Sequence, residues 1–233
     1  MERLVLVHGS VLGGEATWSR QASLADRYEL VVLNRPGFPP GPPVERIDFV
    51  EDGRWLAERL EPGDHLAGHS YGGVICLYAA AAAPALASLT LVEPPAFGIA
   101  AADPAVAAFI ERVAAHWAAA PREPRAFLEG FLALVGSPLR LPDPLPPALE
   151  QGARLLMVER GPQEAEPPLD ALDALPFPKL VVSGGHHAAF EAVCDVLERR
   201  LHAERAVVEG AGHAIPAAAG FNEVLADFLG RSA

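Results

Sequence analysis

The chain has 233 residues, 51% of them hydrophobic and 21% charged, enough for one domain with a sizeable core and too apolar for a disordered chain. Its formal net charge of −12 disfavours nucleic acid and anionic membrane surfaces as partners. No apolar run is long and unbroken enough to span a bilayer, so the sequence reads as a non-membrane chain.

Arg3 to Val7 is a continuous apolar run, the pattern of a strand buried on both faces of a parallel sheet. A strand starting so early leaves no leader pattern ahead of it, and a cytoplasmic protein is the expectation. His8-Gly9-Ser10-Val11-Leu12-Gly13-Gly14 follows. A strand ending in His-Gly and a flexible loop suits an oxyanion hole, with the backbone N–H of Ser10 aimed beside that of Tyr71 and the His8 side chain bracing the loop. Trp18 is expected to pack the start of the first helix.

Tyr28–Leu33 reads as the second strand. It runs into a proline-rich loop, Asn34-Arg35-Pro36-Gly37-Phe38 onward to Pro42-Pro43. Asp48 to Leu60 has helical spacing, with Phe49, Leu56 and Leu60 inward. The stretch Asp64–Ala67 then reads as a short strand ending in Gly68-His69-Ser70-Tyr71-Gly72, a G-x-S-x-G. This pattern places a serine on a sharp strand-to-helix turn, where neighbours crowd and glycines two residues either side relieve them. The next segment runs from Gly73 through an alanine run to Pro84, a helix stopped by proline, so strand, turn and helix frame Ser70.

The fourth strand is Leu89–Glu93, halted by Pro94-Pro95. Between Phe97 and about Leu175 only helical patterns recur, carrying Phe109, Trp117, Phe127 and Phe131. The fifth strand, Lys179–Ser183, ends in Gly184-Gly185-His186-His187; a helix from Ala188 to Leu201 follows. The sixth, Arg205–Glu209, leads to Gly210-Ala211-Gly212-His213 and a last helix, Phe221–Leu229. Strands alternating with helices predict an α/β fold with a mostly parallel sheet of about six strands flanked by helices. Residues 1–96 and 176–233 form the core of this reading, and 97–175 an inserted helical lid over the strand carboxyl ends. Cys76 and Cys194 sit in apolar helical patterns and read as buried thiols.

With these motifs in this order, the chain resembles a small, lidded α/β-hydrolase over nearly its whole length. His8-Gly9, Gly68-His69-Ser70-Tyr71-Gly72-Gly73 and Gly210-Ala211-Gly212-His213 carry the resemblance. It implies that the usual first two strands are missing, and that Asn34-Arg35-Pro36-Gly37-Phe38 departs from the customary Asp-Arg-x-Gly-x-Gly. It implies Ser70 as nucleophile and His213 as base. The acid is the irregular member, because the loop after the fifth strand, where the family usually has aspartate, carries no carboxylate. Glu93, at the position some members use instead, is the first choice; Glu191 and the absence of an acid are the others.

The remaining histidines have bland readings. His69 packs or bonds nearby, His186-His187 is a polar loop rather than a metal site, and His65, His116 and His202 are surface or helix positions. The function implied is a serine hydrolase acting on a small or medium hydrophobic ester or thioester through an acyl-enzyme at Ser70, without metal or organic cofactor. Its partner is a small-molecule substrate. A serine at the elbow disfavours the dehalogenase and epoxide-hydrolase chemistries of similar folds. The competing reading is a non-catalytic small-molecule binding protein on the same scaffold, motivated by the absent aspartate.

Overall fold

The structure, a computed structural model, describes residues 1–41, 44–83, 85–119 and 123–232. Pro42-Pro43 of the proline-rich loop and the helix-stopping Pro84 lie outside the described residues. The elements run β1 (Glu2–Val7), α1 (Gly14–Thr17), β2 (Tyr28–Leu33), α2 (Phe49–Ala57), β3 (His65–His69), α3 (Tyr71–Ala82) and β4 (Ser88–Val92). Then come α4 (Pro104–Ala119), α5 (Pro124–Leu134), α6 (Pro147–Met157), α7 (Leu169–Asp173), β5 (Lys179–Ser183), α8 (Ala188–Leu201), β6 (Glu204–Val207) and α9 (Phe221–Arg231). The six strands form one sheet in the order β2-β1-β3-β4-β5-β6, and every neighbouring pair is parallel.

The period of two explains why these strands read as unbroken apolar runs. Val5, Val7, Leu89, Leu91 and Val181 face one core, shared with Leu56, Val74, Ile75 and Phe190 of α2, α3 and α8. Leu4, Leu6, Val92, Leu180 and Val182 face the other, shared with Trp18 and with Phe221, Leu225 and Phe228 of α9. Both faces are covered, so both sets must be apolar. The edge strands β2 and β6 carry partly exposed residues along their length, whereas β1 and β3 do so only at one end and β4 and β5 not at all.

Several local expectations are refined. Asp48 stands just outside α2 as its N-cap, accepting from the N–H groups of Val50 (2.9 Å) and Glu51 (3.3 Å). Trp18 stands between the short α1, which it caps, and a 3-10 helix, Ser19–Leu24, and its ring packs on Phe221 of the last helix rather than on the start of α1. His65 is no surface residue: it is fully buried on β3, with Nδ1 2.8 Å from Ser88 Oγ. Cys76 and Cys194 are free, buried thiols.

Helices α4, α5 and α6 of the stretch between β4 and β5 line the cavity at Ser70, just past the carboxyl end of β3, whereas α7 packs on α3 and α8. Among the described residues, the one strand-like contact of that stretch joins Glu159 to Ile47 as an isolated parallel bridge. It holds through Ile47 N–H to Val158 O at 3.2 Å and Arg160 N–H to Ile47 O at 2.8 Å. A small apolar cluster from α5 and α6, including Phe127, Leu128, Leu149 and Leu156, packs on Val11 of the loop after β1. Gly152 of α6 abuts that loop so closely that a Cβ there would overlap the Val11 carbonyl. No described helix is long and apolar enough to cross a membrane.

Candidate active site

Ser70 is the residue between β3 and α3, with φ 54° and ψ −127°, a conformation L-residues rarely adopt. Its N–H is tied to the Val92 carbonyl of β4 at 2.8 Å, which holds the turn against the neighbouring strand. The turn is tight because α3 starts hard against β1. A Cβ on Gly72 would overlap the carbonyls of Val7 and His8, so glycine is required two residues after the serine.

Glu93 is the first residue past β4, and its φ of 44° turns the chain off the strand line. Its N–H still reaches Val182 O of β5 at 2.8 Å. The kink directs the carboxylate across the sheet end to the loop after β6. There Glu93 Oε2 lies 2.7 Å from His213 Nδ1, and His213 Nε2 lies 2.9 Å from Ser70 Oγ. A carboxylate only accepts, so Nδ1 carries the proton and Nε2 presents its lone pair to the serine hydroxyl. The three side chains predicted from sequence thus form one hydrogen-bonded line. Glu191 lies elsewhere: it accepts from Ser183 Oγ (2.9 Å), Gly185 N–H (3.1 Å) and Arg205 (2.6 Å).

Glu93 is fully buried. Burial alone would raise its pKa, but contacts from His186 and His213 and the Gly184 N–H, 2.7 Å from Oε1, bring it down to about 2. The carboxylate is therefore ionised at neutral pH. His69, beneath His213, donates through Nε2 to the His213 carbonyl at 2.9 Å; burial, then the nearby His213, lowers its pKa to about 3, so it is a neutral packing group.

Tyr71 opens α3, and the first N–H groups of a helix have no intrahelical acceptor. Ser10 lines the same cavity as Ser70. The loop bearing Ser10 is braced by a cluster that sequence reading missed. Arg35 is completely buried and donates to Gly9 O at 2.9 Å and to Glu159 Oε1 at 3.0 Å, with Asp52 Oδ2 at 3.4 Å. Ser10 Oγ donates to Glu159 Oε2 at 2.5 Å. His8 bridges the same turn: Nε2 accepts the Arg35 N–H at 3.1 Å and Nδ1 lies 2.8 Å from Gly9 O. Burial and then Arg35 depress its pKa to about 3, which keeps the ring neutral. The only sequence signal was the departure at Asn34-Arg35-Pro36-Gly37; Glu159 had none.

Two cavities meet at Ser70. The inner one, about 250 Å³, is lined by Phe97, Phe109, Val113, Trp117, Phe131 and Phe190, with Ser10, Ser70, Tyr71, Glu159 and His213 at its polar end. Three of the four aromatics expected in the lid region, Phe109, Trp117 and Phe131, therefore line a pocket, while Phe127 is core within α5 and α6. The outer cavity, about 420 Å³, is bordered by Leu12, Thr17, Ser137, Leu139 and Arg140 and shares Ser10, Ser70, Phe131, Val135 and His213 with the inner one. A substrate straddling Ser70 can place one part in each.

The His186-His187 pair splits. His187 caps α8, Nδ1 accepting from Ala189 N–H at 3.3 Å, whereas His186 turns toward Glu93. Ligand atoms of Glu93, His186 and His213 lie within 4.8 Å of one another, close enough for a metal shell. The 2.7 Å contact of His213 with Glu93 and its second contact with Ser70 describe a path for protons instead.

A parallel sheet, a serine on its elbow and a histidine after the last strand together define a hydrolase scaffold of one kind. The chain belongs to the alpha/beta hydrolase family, which it matches over residues 4–226. It is similar in structure to MenH from S. aureus, with a TM-score of 0.74 and 18% identity over 99% of this chain and 94% of that one. It is likewise similar to a thermophilic esterase from Thermogutta terrifontis, with a TM-score of 0.70 and 21% identity over 100% of this chain and 90% of the other. Est816, an N-acyl homoserine lactone degrading enzyme, has a TM-score of 0.63 and 19% identity over 98% and 93% of the two chains. At such identities the likeness establishes the fold, and function must be argued from the site. No curated protein matches the chain at the sequence level.

Proposed function

We propose that the protein is a serine hydrolase that cleaves a small or medium hydrophobic ester or thioester through an acyl-enzyme at Ser70. The observation that carries this reading is the unbroken line Ser70 Oγ–His213 Nε2, 2.9 Å, and His213 Nδ1–Glu93 Oε2, 2.7 Å. The Ser70 proton passes to His213 Nε2 as Oγ attacks the carbonyl carbon. Negative charge gathers on the carbonyl oxygen, which faces the N–H groups of Ser10 and Tyr71 at the start of α3. Glu93 holds the imidazole in the required tautomer and stabilises its positive charge. His213 then protonates the departing alcohol or thiol. A water gives its proton to His213 and attacks the acyl-enzyme, releasing the acid and restoring Ser70. Each step is a proton transfer or an acyl transfer, so no metal or organic cofactor is needed.

The aromatic lining of the inner cavity supports an apolar substrate group. Esterase and lactone-degrading activities named for similar folds agree with ester chemistry, a lactone being an internal ester. The rival reading, a non-catalytic binder, drew on the missing carboxylate after β5. Glu93 supplies a carboxylate from β4, so that motive falls away.

Intact-protein mass after exposure to a fluorophosphonate tests the reading, with wild type and Ser70→Ala side by side. One adduct on wild type and none on the variant is the expected result. A folded wild type that takes no adduct overturns it.

A further inference from the structure

Glu93 has an imidazole near each of its oxygens. His213 sits at Oε2, and His186 Nδ1 lies 3.3 Å from Oε1. On the far side of the His186 ring, Nε2 is 3.0 Å from the carbonyl of Val135, the residue that caps α5. Carboxylates and carbonyls only accept. A neutral imidazole has one N–H and would turn a lone pair on one of these oxygens. An imidazolium presents N–H to both. Nδ1 is buried without an aligned hydrogen-bond partner among the described residues, and the Glu93 carboxylate lies 3.3 Å from it.

We propose that His186 is a resident imidazolium and a positioning residue, holding Glu93 from the side opposite His213 while bonding the Val135 carbonyl of the lid. Its effect on turnover rests on the hydrolase reading above.

The surroundings favour that charge. Contact with Glu93, at the end of β4, raises the His186 pKa most, against burial, and the Val135 carbonyl and Glu191 of α8 add to it. The groups opposing it are other histidines and a more distant cation. His213 is 6.3 Å away between ring centroids and His187 6.0 Å, and Arg112 of α4 acts on His187. Burial lowers the His187 pKa, so that ring adds no charge. From the turn after α5, the polar groups meeting these histidines are backbone carbonyls: Val135 O takes His186, and Gly136 O accepts the backbone N–H of His213 at 3.3 Å. One turn of the lid is therefore bonded to both histidines that flank Glu93. The loop after β5, where the family resemblance implies an acid, carries a cation that steadies an acid at the end of β4.

The test starts with the wild-type protein. Nitrogen-15 NMR of the histidine rings at pH 7 is expected to show both His186 nitrogens protonated, the signals being assigned by their loss in His186→Gln. A neutral His186 at pH 7 overturns the proposal; the charge is read on wild type, and the variant serves only to assign the signals. The second readout is the pH profile of p-nitrophenyl butyrate turnover and of fluorophosphonate labelling at Ser70. Wild type is expected to lose rate on the alkaline side as His186 gives up its proton. His186→Gln should lower kcat about tenfold at neutral pH, the scale of a small misplacement of a reacting group, and lack the alkaline fall. His186→Lys, with a cation of higher ordinary pKa, should move that fall upward. An alkaline limb unchanged in His186→Gln overturns the proposal. A wild type that neither labels nor turns over substrate defeats the hydrolase reading alone, since the NMR result still decides the charge of His186.

Discussion

His213 Nδ1 lies 2.7 Å from Glu93 Oε2 although 120 residues separate the two along the chain. Two features of the sheet bring them together. Strands β4 and β5 are neighbours, and Glu93 leaves β4 in a left-handed backbone conformation that throws its carboxylate toward the loop after β6.

That contact makes Glu93→Gln informative. The amide offers either an oxygen or an NH₂ to Nδ1 and no charge to the imidazolium formed during attack. Turnover should fall by about 10³–10⁴-fold, the scale of losing a triad carboxylate, while circular dichroism stays native. Glu191→Gln, whose parent side chain is engaged with Arg205, should leave kcat within a few-fold of wild type. Steady-state kinetics on both variants decide it, and the reverse pattern would exchange their roles.

Arg35 is buried between two carboxylates, Glu159 at 3.0 Å and Asp52 at 3.4 Å. Arg35→Met strands both without a counter-charge, and should cost about 3–5 kcal/mol in urea unfolding. Adding Glu159→Gln removes one of the stranded charges and should recover part of that loss. A single variant as stable as wild type would mean the cluster is energetically idle.

The buried His69 gives the stability a pH dependence of known sign. Its folded pKa of about 3 lies below the ordinary 6.5, so the native state holds the ring neutral while the unfolded chain takes up a proton. The stabilisation is complete above pH 6.5 and drains away as pH falls toward 3. Between those limits wild type should lose about 1.4 kcal/mol per pH unit relative to His69→Gln, which keeps an N–H for the His213 carbonyl. Parallel denaturant titrations at pH 7.5, 6 and 5 measure the difference; equal slopes would show that His69 is protonated in the folded protein.

Val113 projects from α4 into the inner cavity. Val113→Phe should shorten the space and select against longer substrates. With a series of p-nitrophenyl esters, kcat/KM should fall for long acyl or alkyl groups and hold for short ones. A contrast of about 10–200-fold is expected, the range for a methylene or two in an apolar pocket. A uniform drop across the series would place the hydrophobic group elsewhere.

The sequence by itself determined the elements and their order. Unbroken apolar runs marked strands covered on both faces, helical spacing marked α2, α8 and α9, and the glycines around Ser70 marked the elbow, because each pattern is set by neighbours within a few residues. For the acid it left Glu93, Glu191 or none. Only the tertiary structure decided between them, since the decision hangs on the backbone turn at Glu93 and on which strands lie side by side. The same holds for the Arg35–Glu159 pair, 124 residues apart, for the burial of His65, and for His186 facing Glu93. Such contacts join polar side chains from distant elements, and no local periodicity records which polar groups the packing of those elements will close upon.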